Sequence, residues 1–175
     1  MSRLLVLQHL ERERPGLFVN LAEERGFSVC TFRLDLGDSL PELRNGDLLL
    51  VLGGPMGIRD IGTSTYPWLV EEIGLIKEAL NQGVGLIGVC LGAQLLAYAA
   101  GGDVEMIQEE VSHQPLAEIG WDNIFPQSLD NNCKLTTLLN HSFPVLHWHG
   151  DIILLPNTAE LIASSNRCKE QLFSI

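Results

Sequence analysis

Positive charge is scarce in this chain. Eleven Lys and Arg stand against 22 Asp and Glu, a formal net charge of -11 over 175 residues. A surface of that sign repels phosphate backbones, which argues against nucleic acid as a direct partner. Long apolar runs are also missing. No stretch reaches the roughly eighteen residues of a membrane-spanning helix, so no membrane is expected as a partner. The N-terminal Met1-Ser-Arg-Leu-Leu-Val-Leu-Gln8 turns polar too early for a signal peptide, and the expected location is cytoplasmic. Cysteine is sparse as well. Cys30, Cys90, Cys133 and Cys168 form neither a CxxC pair nor a metal-ligand spacing, so neither a metal nor a cofactor is expected and the thiols read as reduced. There is no internal repeat, low-complexity tract or linker. With 46% hydrophobic and 19% charged residues, the chain carries enough apolar material for a core, and its length suits one domain over 1–175.

The first half alternates strand and helix signals. Arg3 to Gln8 is a short apolar strand. Pro15 to Arg25 reads as a helix, with Pro15 suited to the first turn and Gly26 to the stop. Phe27 to Arg33 is a second strand, and Asp47 to Leu52 is the continuous apolar run of a buried parallel strand. A turn-rich loop, Gly53-Gly-Pro-Met-Gly57, follows. Pro67 to Gln82 repeats the helix signature, Val84 to Val89 is a strand, and Leu91 to Ala100 is a helix. This is the pattern of an open, mostly parallel α/β sheet with helices on both faces. Ligands in such sheets bind outside the carboxyl ends of the strands, where Gly53–Gly57 and the turn at Cys90 lie. The second half suggests a few antiparallel strands: Val104–Ile107, Leu116–Trp121, Phe143–His149, Ala159–Ser165 and Gln171–Ile175.

Gly88-Val89-Cys90-Leu91-Gly92 has the form glycine, any residue, nucleophile, any residue, glycine. That spacing makes a sharp strand-to-helix turn, in which the flanking glycines remove side chains that would collide. A thiol there feels the positive end of the helix dipole, which favours thiolate. The Leu91 N–H can face the oxygen of an attacked carbonyl, and Gly53-Gly54-Pro55 is placed to supply a second donor. A glycine-rich turn could instead hold phosphate at the helix N-terminus, but no Walker lysine accompanies it. Cys30, Cys133 and Cys168 have no such frame and read as small buried hydrophobes.

These residues resemble the class I (triad-type) glutamine amidotransferase family. Gly88-Val-Cys-Leu-Gly-Ala-Gln-Leu-Leu-Ala97 resembles its nucleophile motif, and Gly53-Gly-Pro-Met-Gly57 its oxyanion loop. Glu118-Ile-Gly-Trp121, His147-Trp-His-Gly-Asp151, Leu155-Pro156 and Ala159–Ser165 are similar to further family signatures. The likeness covers nearly the whole chain and is greatest to stand-alone members akin to the amidotransferase domain of GMP synthase. The resemblance implies a flavodoxin-like fold and hydrolysis of the glutamine side-chain amide through a cysteinyl thioester. Carried over, Cys90 is the nucleophile and Gly54 and Leu91 are the oxyanion donors. Gln94, one helical turn after Cys90, matches the glutamine that contacts the substrate amide, and His149, Gly150 and Asp151 match a region near the substrate's α-amino and carboxylate groups.

A cysteine nucleophile is normally partnered by a base and an orienting carboxylate. The histidines are His9, His113, His141, His147 and His149. From the residues alone, His147 and His149 are the candidates, on one face of one predicted strand. The family instead places its base and orienter in a His-Pro-Glu motif, after a segment resembling Lys169–Ile175, and no His-Pro-Glu occurs in these 175 residues. The chain is therefore expected to be truncated at its C-terminus. Two other readings stay open: an omitted C-terminal segment, or a short form in which His147 or His149 substitutes or catalysis is lost. The remaining histidines are expected at the surface or in loops, Trp121 and Trp148 in the core or a pocket wall, and Glu109-Glu110 in solvent.

Three functions compete. The first is glutamine hydrolysis with release of ammonia to an acceptor enzyme or synthetase subunit. The second is a non-catalytic binding or regulatory module on the same fold. The third is a γ-glutamyl peptidase or hydrolase. Glutaminase turnover separates the first from the second, and a panel of γ-glutamyl peptides separates the first from the third.

Overall fold

The computed structural model describes residues 2–109, 112–127, 139 and 141–175. Cys133, expected to be a buried thiol, and Glu110, expected in solvent, lie outside the described residues. The chain divides into two compact units, Met1–Ala100 and Gly101–Ile175.

The first unit is a parallel sheet of β1 (Arg3–Gln8), β2 (Ser28–Arg33), β3 (Leu48–Val51) and β4 (Gly85–Gly88) in the order β2-β1-β3-β4. Its helices are α1 (Leu17–Glu24), α2 (Leu69–Gln82) and α3 (Leu91–Ala99). The continuous apolar runs follow from burial of both sheet faces. Leu5, Leu7, Leu49 and Val51 point into one core with Leu69, Ile73 and Ile76 of α2 and Leu91 and Leu95 of α3. The alternate residues Leu4, Val6 and Leu50 point the other way, against Ala22 of α1. The helices thus cover both faces, as the alternating pattern predicts. Gly83 closes α2 in the left-handed conformation at φ 68°, which glycine adopts without a Cβ penalty.

The second unit is antiparallel. β5 (Asp103–Met106) pairs with β8 (Asp151–Leu154), a strand the sequence reading did not separate from the preceding turn. β6 (Glu118–Pro126), β7 (Phe143–His149), β9 (Glu160–Ser164) and β10 (Leu172–Ser174) form a sheet in the order β10-β9-β6-β7. The expectation for the tryptophans needs correction. Trp121 and Trp148 are 75% and 70% exposed, beside exposed Leu146 and Ile119 on the opposing strands. The period-2 alternation of β7 turns Leu146 and Trp148 outward and His147 and His149 inward, so polar side chains take the inner positions.

Candidate functional site

The first unit gathers Cys90, Gly54, Leu91 and Gln94. β4 ends at Gly88, Val89 N–H donates to the Val51 carbonyl at 2.9 Å, and the chain then reverses into α3. Cys90 caps that helix with φ 54° and ψ -111°, a strained conformation for a non-glycine residue. The flanking glycines are required sterically. A Cβ on Gly88 would lie 2.6 Å from the Gly92 carbonyl carbon, and one on Gly92 would overlap the Val51 carbonyl oxygen. Ala93 and Gln94 N–H both donate to the Cys90 carbonyl, at 3.0 and 3.1 Å. The Leu91 N–H opens the helix and has no acceptor within it. Cys90 is exposed and Gln94 is buried one turn below. The other described thiols differ: Cys30 is half-buried, and burial pushes Cys168 up to about 11.

The oxyanion-loop candidate lies against this turn. A Cβ built on Gly53 would come 3.5 Å from Cys90 Cβ and 2.6 Å from the Glu13 carboxylate. One on Gly54 would meet the Met56 sulfur, Leu91 Cδ2 at 3.1 Å and His9 Cβ at 3.2 Å. The tight position is Gly54, where a Cβ would press on both Leu91 and His9; at Gly53 only the mobile end of Glu13 stands in the way. Gly83-Val-Gly-Leu-Ile-Gly88 carries the letters of a dinucleotide fingerprint, but its glycines cap α2 and run along β4 ahead of the turn, where they cannot cradle a pyrophosphate.

His9 corrects another expectation. It lies in the bend after β1, a loop position as expected, but it is 1% exposed and not at the surface. Its Nδ1 donates to the Gly53 carbonyl at 2.9 Å, and its Nε2 lies 2.8 Å from Glu72 Oε1. Burial alone would lower the His9 pKa. The hydrogen bond and charge of Glu72, the Gly53 carbonyl and Glu13 outweigh burial and raise it above the ordinary value. A raised folded-state value contributes stability that is fully present below the unfolded pKa, about 6.5, and is lost as pH rises through the folded value. Urea unfolding is therefore expected to show more stability near pH 6 than near pH 9, with a steeper decline for the wild type than for His9→Asn. Equal slopes for the two proteins would refute this.

The second unit holds His149, Gly150 and Asp151. The His149 Nδ1–H donates to the Asp151 carbonyl at 2.9 Å, and Gly150 accepts from Ile107 N–H at 2.9 Å. His149 Nε2 lies 3.0 Å from Glu118 Oε2, directly across the strand pair. Gln171 Nε2 donates to the same oxygen at 2.8 Å and lies 3.0 Å from His149 Nε2. His147 is buried beside them, its Nδ1 3.4 Å from Glu118 Oε2. Among the described residues, Glu118, His147 and His149 bring donor atoms within 4.8 Å of one another, close enough to hold a metal ion. The shared face of His147 and His149 was legible from their spacing; the roles of Glu118 and Gln171 were not, because Glu118 comes from β6 and Gln171 from the bend before β10.

The sequence profile described as "Glutamine amidotransferase class-I" matches residues 17–173. The glutamine amidotransferase-like protein YfeJ of Salmonella typhimurium is 30% identical over 97% of this chain and 69% of its own length. A GMP synthase [glutamine-hydrolyzing] of Pectobacterium carotovorum is 27% identical over 71% of this chain, which matches 22% of that protein. The crystal structure of a glutamine amidotransferase from Thermotoga maritima superposes with a TM-score of 0.84 at 29% identity, covering 99% of this chain and 71% of that one. A cysteine on a two-glycine elbow, set against a Gly-Gly loop at the ends of a parallel sheet, fits that company: the chain belongs to the class I glutamine amidotransferase family.

Proposed function

We propose that the chain binds glutamine and forms a γ-glutamyl thioester at Cys90. The Cys90 sulfur attacks the side-chain carbonyl carbon, and the oxygen takes up negative charge facing the N–H groups of Gly54 and Leu91. The proton given up by the thiol passes to the amide nitrogen, the C–N bond breaks and ammonia leaves; water then adds to the thioester, giving glutamate and returning a proton to the sulfur. The observation that carries this reading is the exposed Cys90 at φ 54° on the N-terminus of α3, between two positions that cannot accept a Cβ. Gln94, buried one turn below, is assigned the contact with the amide. From the likeness to the family, a substrate-binding role is also proposed for the turn at Asp151 in the second unit. His149 and Gly150 act by holding that turn through their bonds to Asp151 and Ile107.

His149 has both ring nitrogens engaged, and His147 is 2% exposed. Those facts support structural roles for both over a role as base. The natural acceptor of the ammonia is proposed to be a synthetase, a reading supported by the GMP synthase relative, and the setting to be the reducing cytoplasm. A γ-glutamyl peptide is the competing substrate.

The experiment is alkylation by a chloroketone analogue of glutamine followed by peptide mass spectrometry. Cys90 is expected to be modified at least ~10-fold faster than Cys30 or Cys168, with protection by glutamine. The buried Cys168, with its pKa near 11, holds little thiolate at neutral pH. Equal labelling of the three thiols, or no protection by glutamine, would remove the assignment.

A further inference from the structure

We propose that His9 and Glu72 are positioning residues that aim the Gly54 N–H at the Cys90 reaction centre by gripping the carbonyl of the same peptide unit. The inference rests on the reading of Gly54 as an oxyanion donor and assigns its control to two residues outside the motifs. The C=O and N–H of a trans peptide unit point in opposite directions. The carbonyl of Gly53 and the N–H of Gly54 belong to one such unit. Its carbonyl oxygen is held at 2.9 Å by His9 Nδ1, and that fixes the direction of the N–H on the other side. Neighbouring positions agree: a Cβ on Gly54 would sit 3.2 Å from His9 Cβ, and one on Gly53 would sit 3.5 Å from Cys90 Cβ. The peptide therefore lies between the imidazole and the thiol-bearing turn.

The proton inventory makes the grip directional. A carbonyl only accepts, so His9 Nδ1 carries a hydrogen. On the other side, Nε2 meets a Glu72 carboxylate whose side chain is fully buried and whose second oxygen has no hydrogen-bond partner among the described residues. A buried carboxylate in that setting is stabilised by a cation, and the imidazolium supplies one. Glu13 and Asp35 add negative charge in the field around His9. A protonated His9 also polarises the peptide it grips and strengthens the N–H as a donor. Loops are ordinarily the mobile part of such a site; here a buried ion pair anchored on β1 and α2 ties the loop to the sheet and its helix.

The test compares two alkylating agents on the full chain. With the chloroketone analogue of glutamine, the Cys90 sulfur first adds to the ketone carbon and leaves a tetrahedral oxyanion; the sulfur then passes to the neighbouring CH2, chloride leaves and the ketone re-forms. Iodoacetamide alkylates sulfur by direct displacement and forms no oxyanion. The ratio of the two rate constants at Cys90 thus reports the oxyanion site, independently of the thiol's own reactivity. His9→Leu is expected to lower the ratio by about 10- to 100-fold. His9→Asn, whose side-chain amide can donate where Nδ1 does, should recover it to within a few-fold of wild type, a rescue that a purely structural role would not produce. Equal ratios for His9→Leu and wild type, or equal losses in the Leu and Asn variants, would overturn the inference. If His9→Leu does not fold, the imidazole nitrogens of the wild type decide by NMR. Nδ1 should carry a proton at neutral pH, as its bond to the Gly53 carbonyl requires, and its signal should move when the chloroketone adduct forms. An unprotonated Nδ1, or a signal that ignores the adduct, would overturn it too. A wild type that shows no preference for the chloroketone removes the reading of Gly54 itself, and the inference with it. That outcome is distinct from a wild-type preference that survives His9→Leu.

Discussion

Replacing Cys90 with glycine is expected to abolish thioester formation and, in the same protein, to raise the melting temperature. The chemical half follows from the role of the sulfur. Loss of an enzyme's nucleophile typically costs about 10⁶-fold in turnover. The stability half follows from the backbone. Cys90 sits at φ 54° and ψ -111°, where a Cβ is crowded by the adjoining peptide units. A residue held in such a region costs about 1–3 kcal/mol, and glycine relieves most of that. Glycine also gives the unfolded chain more freedom, which returns roughly 0.4–1 kcal/mol of the gain. The balance is a stabilisation of about 1 kcal/mol, or about 2–4 °C for a chain of this size. Cys90→Ser is the control, because it keeps the Cβ and the strain while removing the thiol. It should lose the chemistry without the gain in melting temperature. A Cys90→Gly protein that melts at or below the serine variant would show that the turn is not strained, and the elbow would lose its main physical argument.

How much of this was readable in the residues depends on the range of the interactions. The parallel strands were legible because burial on both faces writes itself as unbroken apolar runs, as in Leu48–Val51. The elbow was legible for a local reason: Gly88 and Gly92 are four residues apart, and each is required by backbone packed against it. His9 was not legible. It follows β1 as a single polar residue, and its partners Gly53 and Glu72 lie 44 and 63 residues away. No local period announces such a contact, and Glu72 sits within α2 looking like one of its solvent-facing acids. Trp121 and Trp148 misled for a related reason. Hydrophobicity argues for the inside, but the alternation of β7 had already given the inner positions to His147 and His149. β8 went unseen because its partner β5 lies far back in the sequence and Gly150 reads as the end of a strand. The position of Glu13 beside Gly53 and Cys90 is likewise a product of the fold, invisible in the string Glu11-Arg-Glu-Arg14.

The same Gly→Ala substitution should act with opposite signs at two helical positions, and the larger effect belongs to Gly92. A Cβ at Gly92 would overlap the carbonyl oxygen of Val51, lie 2.7 Å from its carbonyl carbon and reach 3.0 Å from its Cβ. Val51 cannot easily give way. It is 2% exposed at the end of β3, between β1 and β4, and its carbonyl accepts the Val89 N–H at 2.9 Å. The start of α3 must move instead, away from the strand it packs on. Overpacking of this kind costs about 1–3 kcal/mol, and the loss of a buried hydrogen bond a further ~1–3 kcal/mol. Alanine's better helix propensity returns only about 1 kcal/mol. The expected net loss is about 2–3 kcal/mol, a fall of roughly 5–10 °C in melting temperature, accompanied by slower chloroketone labelling of Cys90 as the turn shifts. Gly74 of α2 is the counterpart: it is exposed, and a Cβ there meets nothing within 4 Å. Gly74→Ala therefore collects the propensity gain without the clash and should raise stability by about 0.5–1 kcal/mol. Thermal unfolding of the two variants beside the wild type settles the matter. If Gly92→Ala matched Gly74→Ala, the close packing of α3 on β3 would be refuted, and with it the reason Cys90 is held at the mouth of the sheet.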